Sequence, residues 1–233
     1  SLVEMDIAKP DAMREPIGSF DYILHLASIA SPTYYRKYPF ETVDANVSGL
    51  RRIIDMCDPA RLKGLLFFSS SEIYGDPDSS AIPTPESYPG LVECRGPRAC
   101  YDEAKRFGET LCYLASTVRG IPVATVRPFN NYGPGMRPDD KRVPADFAQA
   151  VLSGRDLVIF SDGTPSRTFC YVADAVAGYV LALVRGVGDV FNIGSDGPET
   201  SIVGLAKEDA AVSREKFASH AKVPFAPSWD PDY

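Results

Sequence analysis

Three short runs of almost uninterrupted apolar residues stand out in the first half of the chain, at positions 21–27, 64–69 and 123–126. Such runs are typical of strands that are buried on both faces of a parallel sheet. The stretches at positions 40–57 and 98–117 instead carry their apolar residues at helical spacing. Strands that alternate with helix-length connections predict an α/β fold with a doubly wound parallel sheet.

The regular alternation of strands and helices is interrupted between Gly133 and Pro144, where glycine and proline are frequent. The pattern then predicts a helix near positions 145–152, a strand near 157–160 and a helix near 172–184. We interpret these elements as a smaller lobe that is interleaved with the end of the sheet.

This division gives a first domain at residues 1–135 and a lobe at residues 136–233. From Glu208 onward the helical pattern thins, and residues 223–231 are rich in proline and predicted to be irregular.

The helix at positions 98–117 carries Tyr101 and Lys105 four residues apart, which puts both side chains on one face. An ammonium group beside a phenol favours the phenolate form and makes the pair an acid–base device. The bland alternative is a surface helix with a snorkelling lysine. Three apolar residues at helical steps are expected to hold this helix against the sheet: Phe107, Leu111 and Leu114.

Composition narrows the classes of function. The net charge of −7 disfavours a nucleic-acid surface, which needs a basic face, but it allows a nucleotide ligand that needs only local cations.

The five cysteines include no CxxC pair, which predicts reduced thiols in a cytosol-like compartment. His25 and His220 lack metal-ligand spacing, so we expect no metal site, and His25 inside an apolar run is expected to be a core residue. We find no membrane-spanning run and no signal peptide at the start of the sequence.

Ligands of doubly wound sheets bind beyond the carboxyl ends of the strands. Three segments with polar residues fall at that edge of the predicted sheet, at positions 26–28, 69–72 and 127–131. The pattern therefore places a candidate site there before any motif is considered.

Seven blocks of residues follow one another through most of the chain: Asp6-Ile7, His25-Leu26-Ala27, Asn46, residues 69–76, residues 96–105, residues 127–134, and Arg167. In this order they resemble the extended short-chain dehydrogenases that modify nucleotide sugars. Residues 96–105 and the pair Ser71-Glu72 are most similar to the UDP-glucuronate decarboxylases, or UDP-xylose synthases. The resemblance implies a Rossmann domain that binds NAD, followed by a lobe that binds a nucleotide sugar.

One departure from that family is large. The family begins with a strand and a Gly-rich phosphate loop, and the sequence has neither. About two βα units, roughly 60 residues at ~30 per unit, are expected to precede this chain in the working enzyme. The family also continues beyond the position of Tyr233, so the lobe is expected to be incomplete as well.

The resemblance implies a role for each matching residue. Ser70, Tyr101 and Lys105 would form the catalytic triad, with Glu72 beside it. For Ser70 the alternative from the residues alone is a hydroxyl that satisfies a turn. NAD would contact Asp6, Ile7, Leu26, Ala27, Ser28, Asn46, Ser69, Tyr101, Lys105 and Phe129. The nucleotide sugar would contact Ser71, Glu72, Asn130, Arg142, Val143 and Arg167.

The pair Ser71-Glu72 separates the possible reactions. Nucleotide-sugar 4,6-dehydratases have Asp-Glu here, because loss of water needs a general acid, and a serine at position 71 is a poor one. Decarboxylation needs no such acid, since oxidation of a glucuronate at C4 makes a β-keto acid that loses CO2. The resemblance therefore implies oxidation at C4 and decarboxylation of UDP-glucuronate to UDP-xylose, with Glu72 orienting the ring or handling the later proton at C5.

Other readings stay open. A nucleotide-sugar 4-epimerase would use the same triad, and a 4-oxidase or 4,6-dehydratase could act on another sugar such as a heptose. A non-catalytic nucleotide-binding protein on the same fold is more remote, because the whole triad is present. Family members commonly pair through the helices at positions 40–57 and 98–117, so a homodimer is expected. We also expect a cytoplasmic location, and neither nucleic-acid nor membrane partners.

Overall fold

The structure is a computed structural model that describes residues 3–9, 20–217 and 221–226; the predictions for His220 and for residues 227–231 lie outside these ranges. In chain order the elements are β1 (Tyr22–His25), α1 (Pro32–Lys37), α2 (Pro39–Val43), a π-helix (Asp44–Gly49), α3 (Leu50–Met56), β2 (Gly64–Phe68), two 3-10 helices (Ser71–Tyr74 and Ser79–Ala81), α4 (Ala99–Arg119), β3 (Val123–Pro128), β4 (Asn131–Tyr132), α5 (Val143–Leu152), β5 (Ser166–Arg167), β6 (Cys170–Tyr171), α6 (Val172–Arg185), β7 (Val190–Ile193), β8 (Thr200–Ser201) and α7 (Ile202–Phe217).

The chain is organised as two compact units. Unit 1 comprises Ser1–Ala30, Tyr34–Phe129 and Ala173–Ile193, and unit 2 comprises Ser31–Thr33, Asn130–Val172 and Gly194–Tyr233. The predicted assignment of residues 1–135 to an NAD-binding domain and residues 136–233 to a sugar-binding lobe stays a prediction.

A four-stranded sheet with the order β1-β2-β3-β7 forms the centre of unit 1, and every neighbouring pair is parallel. Helices cover both of its faces. Leu65 and Phe67 of β2 pack with α3 and α4 on one side, whereas Leu66 packs with α6 on the other. The alternation follows from the two-residue period of a strand. The predicted α/β fold with a parallel, doubly wound sheet is therefore confirmed.

The first predicted strand is confirmed as β1, but the prediction that both of its faces are buried is wrong. His25 is buried, whereas Tyr22 and Leu24 are 41% and 46% exposed. The reason is position, because β1 is the edge strand and pairs only with β2 among the described residues. Its inner face packs under the helices, and its other face is largely uncovered.

Helix α4 confirms the predicted helix, but not all of its predicted contacts. Leu111 is buried, whereas Phe107 and Leu114 are 50% and 45% exposed. The buried side of α4 is instead lined by a stripe of mainly small residues that lets the helix approach the sheet closely: Ala104, Gly108, Cys112 and Ala115. A Cβ atom at Gly108 would lie 2.4 Å from Cζ of Phe67, so only glycine fits at this contact.

Unit 2 has its own core between two helices. Phe147 and Ala150 of α5 pack with Ala206 and Ala210 of α7, together with residues from the adjoining segments. Two small sheets complete the unit, one from β4 and β6 and one from β5 and β8.

Two predictions for unit 2 need correction. Residues 157–160 form no regular strand. Ile159 makes a single bridge to Phe225, and backbone hydrogen bonds join this segment to Lys222, Pro224 and Ala226. The helical pattern does not end near Glu208, because α7 continues to Phe217. Its buried face uses Ala206, Ala210 and Ser213, residues too small to produce a strong apolar period.

No helix in the described ranges combines the length and the apolar character that crossing a membrane requires. All five cysteines are free thiols, as predicted.

We predict that Gly108→Ala destabilises the protein by about 1–3 kcal/mol, because the added methyl group overlaps the ring of Phe67 and forces α4 away from β2. The free energy of unfolding from urea denaturation measures the effect. Gly204→Ala is the matched control: it lies in α7, where the nearest atom to a new Cβ is Oγ of Ser201 at 3.1 Å. The control should be neutral or stabilising, since alanine is the better helix former. An equal loss in both variants would contradict the packing argument.

Stability should also depend on the protonation of His25. Its Nε2 contacts the carbonyl oxygen of Ala45 at 3.2 Å, and burial, with a smaller effect from Lys105, lowers the pKa of His25 from 6.5 to about 4. The unfolded state therefore binds more protons between these values, so stability is lost as the pH falls from about 6.5 towards 4.

The loss at about pH 5 should be on the order of 2 kcal/mol. His25→Asn keeps a donor but cannot titrate, so its free energy of unfolding should change less between about pH 7 and about pH 5 than that of the wild type. Identical changes in both proteins would show that His25 does not titrate in the folded state with a lowered pKa.

Candidate active site

The candidate site of unit 1 begins where β2 ends. The backbone nitrogen of Ser69 donates to the carbonyl of Val126 at 2.8 Å, which extends the strand pairing by one residue. Ser70 then caps the 3-10 helix, since its Oγ accepts a hydrogen bond from the nitrogen of Glu72 at 3.2 Å. The hydroxyl hydrogen is not used in this contact. Ser70 therefore satisfies the turn and can still donate to a ligand.

Lys105 links α4 to this strand end. It is 3% exposed, and its Nζ donates to the carbonyl oxygen of Phe68 at 2.6 Å. Burial lowers the pKa of Lys105 to about 7, from an ordinary value of 10.5. The alternative of a snorkelling surface lysine is therefore wrong, and the side chain is fixed two residues before Ser70.

Tyr101 is 6% exposed and lies one helical turn before Lys105, whose Nζ is 5.7 Å from the centroid of the tyrosine ring. The other tyrosine at this place, Tyr35, stacks on it with the ring centroids 5.1 Å apart and the planes at 12°. Burial raises the pKa of Tyr35 to about 12, so this second phenol stays neutral. Tyr35 carried no signal in the sequence, because its role depends on contacts across the fold.

A single guanidinium joins the Ser70–Glu72 turn to the start of α4. Arg98 donates through one NH2 group to the carboxylate of Glu72 and lies with its Nε 3.4 Å from Asp102. Burial, and then the charge of Glu72, raise the pKa of Asp102 to about 6. Arg98 and Asp102 stand inside the matched block at positions 96–105, and their spacing of four residues is that of a helical ion pair.

The residues expected to contact NAD occupy two places in unit 1. One is the sheet edge, where Nδ2 of Asn46 donates to Oγ of Ser28 at 3.0 Å and the backbone nitrogen of Phe129 donates to Ile193 at 2.9 Å. Leu26 and Ala27, beside Ser28, are exposed. Oδ1 of Asn46 and Oγ of Ser69 are buried and lack a hydrogen-bond partner in the described part of the chain.

The other place lies on α3. The carbonyl oxygen of Ile7 accepts a hydrogen bond from Arg52 at 2.5 Å, and the Asp6 carboxylate accepts one from the nitrogen of Ala8 at 3.0 Å. The structure therefore brings Ser69, Ser70, Glu72, Tyr101 and Lys105 together around one strand end, whereas Asp6 and Ile7 lie in a separate turn.

The residues expected to contact the sugar nucleotide divide between the units. Ser71 and Glu72 lie on the 3-10 helix of unit 1, and Asn130, Arg142, Val143 and Arg167 belong to unit 2. Asn130 has a positive φ of 31°. Arg142 precedes α5 and binds the Asp140 carboxylate through Nε at 2.5 Å and Nη2 at 2.8 Å, whereas the following Val143 packs in the core. Arg167 is exposed and donates to the carbonyl of Ser166 at 2.7 Å.

Comparison with known proteins identifies the family to which the chain belongs. The family model described as "NAD dependent epimerase/dehydratase family" matches residues 1–194. The chain belongs to this family.

Among curated proteins, the chain is 38% identical over 202 residues to UDP-glucuronic acid decarboxylase 3 of Arabidopsis thaliana. The aligned region covers 87% of this chain and 58% of the relative. It is 40% identical over 187 residues to UDP-glucuronic acid decarboxylase 1 of Xenopus tropicalis, which covers 80% of this chain and 44% of the relative. The chain thus spans about half the length of these relatives.

Among solved structures, UDP-glucose 4-epimerase from Thermotoga maritima with UDP-glucose is 27% identical with a TM-score of 0.79, covering 91% of this chain and 66% of the other. UDP-glucuronic acid 4-epimerase from Bacillus cereus, in complex with UDP-glucuronic acid and NAD, is 28% identical with a TM-score of 0.73, covering 90% and 63%. The resemblance to extended short-chain dehydrogenases is confirmed by the family and by the fold.

Proposed function

We propose that this chain is the catalytic part of an NAD-dependent enzyme that oxidises a nucleotide sugar at C4 and decarboxylates UDP-glucuronate to UDP-xylose. The observation that carries the proposal is the buried Lys105, held to the end of β2 beside Tyr101 and the Ser70–Glu72 turn. The relatives named UDP-glucuronic acid decarboxylases support the choice of substrate and reaction.

The residues at the sheet edge fit NAD. The buried Oγ of Ser69 and Oδ1 of Asn46 lack partners within the described ranges, and a bound ligand with hydroxyl or amide groups would satisfy them. Among the described residues, the ammonium of Lys105 donates to one carbonyl, so two of its three hydrogens can serve ribose hydroxyls. Leu26, Ala27 and Phe129 would supply apolar contacts beside them.

The chemistry that NAD supplies when bound is the acceptance of hydride from C4 of the sugar. Tyr101 takes the proton of the C4 hydroxyl on its phenolate oxygen, and the nearby ammonium of Lys105 favours that phenolate. Ser70 donates its hydroxyl hydrogen to the oxygen at C4 as the carbonyl forms. The resulting β-keto acid breaks the bond from C5 to the carboxylate, which leaves as CO2, and C5 gains a proton. Return of the hydride to C4, while Tyr101 gives its proton back to the C4 oxygen, then yields UDP-xylose with no net oxidation.

Within this proposal Glu72 orients the ring or handles the proton at C5, and Ser71 cannot act as the acid that a dehydration would need. Asn130, Arg142, Val143 and Arg167 would bind the nucleotide sugar. Arg167 is suited to a diphosphate or a carboxylate, because its exposed guanidinium donates only to a backbone carbonyl among the described contacts.

A 4-epimerase is the second candidate, favoured by the fold shared with the UDP-glucuronic acid 4-epimerase of Bacillus cereus. The same proton and hydride transfers serve both reactions, so the fate of the carboxylate distinguishes them. A 4-oxidase or 4,6-dehydratase acting on another nucleotide sugar would likewise retain C6. A non-catalytic nucleotide-binding protein would turn over no sugar nucleotide.

The full protein, incubated with NAD and UDP-glucuronate labelled in the carboxyl group, should release labelled CO2 and form a UDP-pentose. An intact UDP-galacturonate product would instead identify the epimerase. Failure to bind NAD, measured by calorimetry, would contradict the hypothesis that the protein is an NAD-dependent enzyme.

Tyr101→Phe should lower kcat by about 100-fold or more, because the C4 proton loses its acceptor. The affinity for UDP-glucuronate should change less than about threefold, since the ring and its stacking on Tyr35 are retained. Steady-state kinetics and calorimetry measure the two quantities. Full activity in this variant would show that another group is the base.

We also propose a cytoplasmic homodimer that pairs through α4 and its neighbouring helices. Phe107, Leu114 and Val118 recur at helical spacing on α4 and are 50%, 45% and 74% exposed, and Phe40 of α2 is 81% exposed. An exposed apolar stripe of this kind is typical of an interface between subunits. The five free thiols fit a reducing compartment.

Phe107→Glu should convert the dimer into a monomer, because it places a charge inside the proposed interface. Analytical ultracentrifugation measures the mass in solution. Phe217→Glu, at the end of α7 where the ring is 59% exposed, is the matched control and should leave the dimer intact. A wild-type protein that sediments as a monomer would contradict the proposal.

A further inference from the structure

Arg98 occupies a position between the two elements that carry the candidate catalytic residues. Its backbone carbonyl starts α4, accepting hydrogen bonds from the nitrogens of Tyr101 at 2.9 Å and Asp102 at 3.1 Å. Its side chain extends to the 3-10 helix, where it binds the carboxylate of Glu72. One residue thus joins the start of the catalytic helix to the turn after β2.

The turn alone gives Glu72 little restraint. Its 3-10 helix spans four residues, and its backbone bonds run from Ile73 to Ser70 at 3.4 Å and from Gly75 to Glu72 at 3.1 Å. Neither bond fixes the direction of the glutamate side chain, which has three rotatable bonds. A charge-assisted hydrogen bond from a planar guanidinium does fix that direction.

Asp102 restrains the guanidinium from the other side. Its side chain is 9% exposed, whereas those of Arg98 and Glu72 are 41% and 37% exposed. A buried carboxylate on a helix has little freedom to move, so it gives the arginine a fixed second partner. The three side chains form a clamp in which one positive charge separates two negative ones.

We infer that Arg98 is a positioning residue for Glu72, holding this carboxylate in a fixed place relative to Tyr101 and Lys105 on α4. The inference rests on the proposed function, in which Glu72 orients the sugar ring or handles the proton at C5. Arg98 itself acts through Glu72 rather than on the substrate.

The charges around the clamp predict the effect of replacing Arg98 with a neutral residue. Asp102 faces Arg98 and Glu103 on its own helix, Glu72 on the turn, and Tyr35 on α1. Without Arg98, two carboxylates would face each other across a half-buried space with no cation between them. Repulsion would move Glu72 outward and favour protonation of Asp102.

A double-mutant cycle on the full protein tests the inference. Arg98→Met should lower kcat for UDP-glucuronate about 100-fold and change KM less than about threefold, as expected for a misplaced catalytic group. The same substitution made in a Glu72→Gln background should lower kcat no further than about twofold. Arg98→Lys, which retains the charge, should recover activity to within about tenfold of the wild type.

Arg106→Met is the matched control. Arg106 lies on the same helix and also holds the turn, but it donates to the backbone carbonyls of Ile73 at 3.0 Å and Pro89 at 2.8 Å. The fold-loss in kcat caused by Arg106→Met should be the same in the wild type and in the Glu72→Gln background, because Arg106 contacts the backbone and does not act through the glutamate side chain. Effects of Arg98→Met that multiply in the same way would overturn the inference.

A second measurement does not need turnover. In a carbon-13 NMR titration, Arg98→Met should raise the pKa of Asp102 above its value of about 6, and Glu72→Gln should lower it, because the first removes a cation and the second an anion. If the wild type turns over no nucleotide sugar, the proposed function fails but this titration still tests the clamp. An Asp102 titration that Arg98→Met leaves unchanged would overturn it.

Discussion

The hydrogen bond from the ammonium of Lys105 to the carbonyl of Phe68 is the interaction on which the candidate site depends. A buried ammonium is costly unless its hydrogens find acceptors, so the lysine fixes the distance between α4 and the end of β2. Gly108 makes this distance possible, because it brings the helix against the ring of Phe67. The position of Tyr101 follows, since it lies one turn earlier on the same helix.

A second set of buried polar contacts holds the turn after β2. Arg127 forms two hydrogen bonds with the Glu109 carboxylate at 2.9 and 2.7 Å and donates to the hydroxyl of Tyr74 at 2.7 Å. That hydroxyl in turn donates to Asn192 of β7 at 2.7 Å. The 3-10 helix is thus tied to β3, β7 and α4, and the buried Arg127 guanidinium is paired with a carboxylate.

The spacing of apolar residues along the sequence predicted the parallel sheet, the helix that carries Tyr101, and the strand end at Ser69 and Ser70. They failed where the environment of an element decides burial. Phe107 and Leu114 satisfy a helical period, yet the helix contacts the sheet through small residues, because close packing needs little side-chain volume. Tyr22 and Leu24 look like buried strand residues but lie on an edge strand. Tyr35 carried no pattern, since stacking on Tyr101 arises only from the tertiary fold.

The account depends on Lys105 being buried and fixed against the end of β2. A carbon-13 NMR titration of the Lys105 side chain in the full protein tests this most directly. The structure predicts a pKa of about 7, because burial disfavours the ammonium form. An ordinary value near 10.5 would mean that the side chain is solvated, and the proposed arrangement of Tyr101, Lys105 and Ser70 would be wrong.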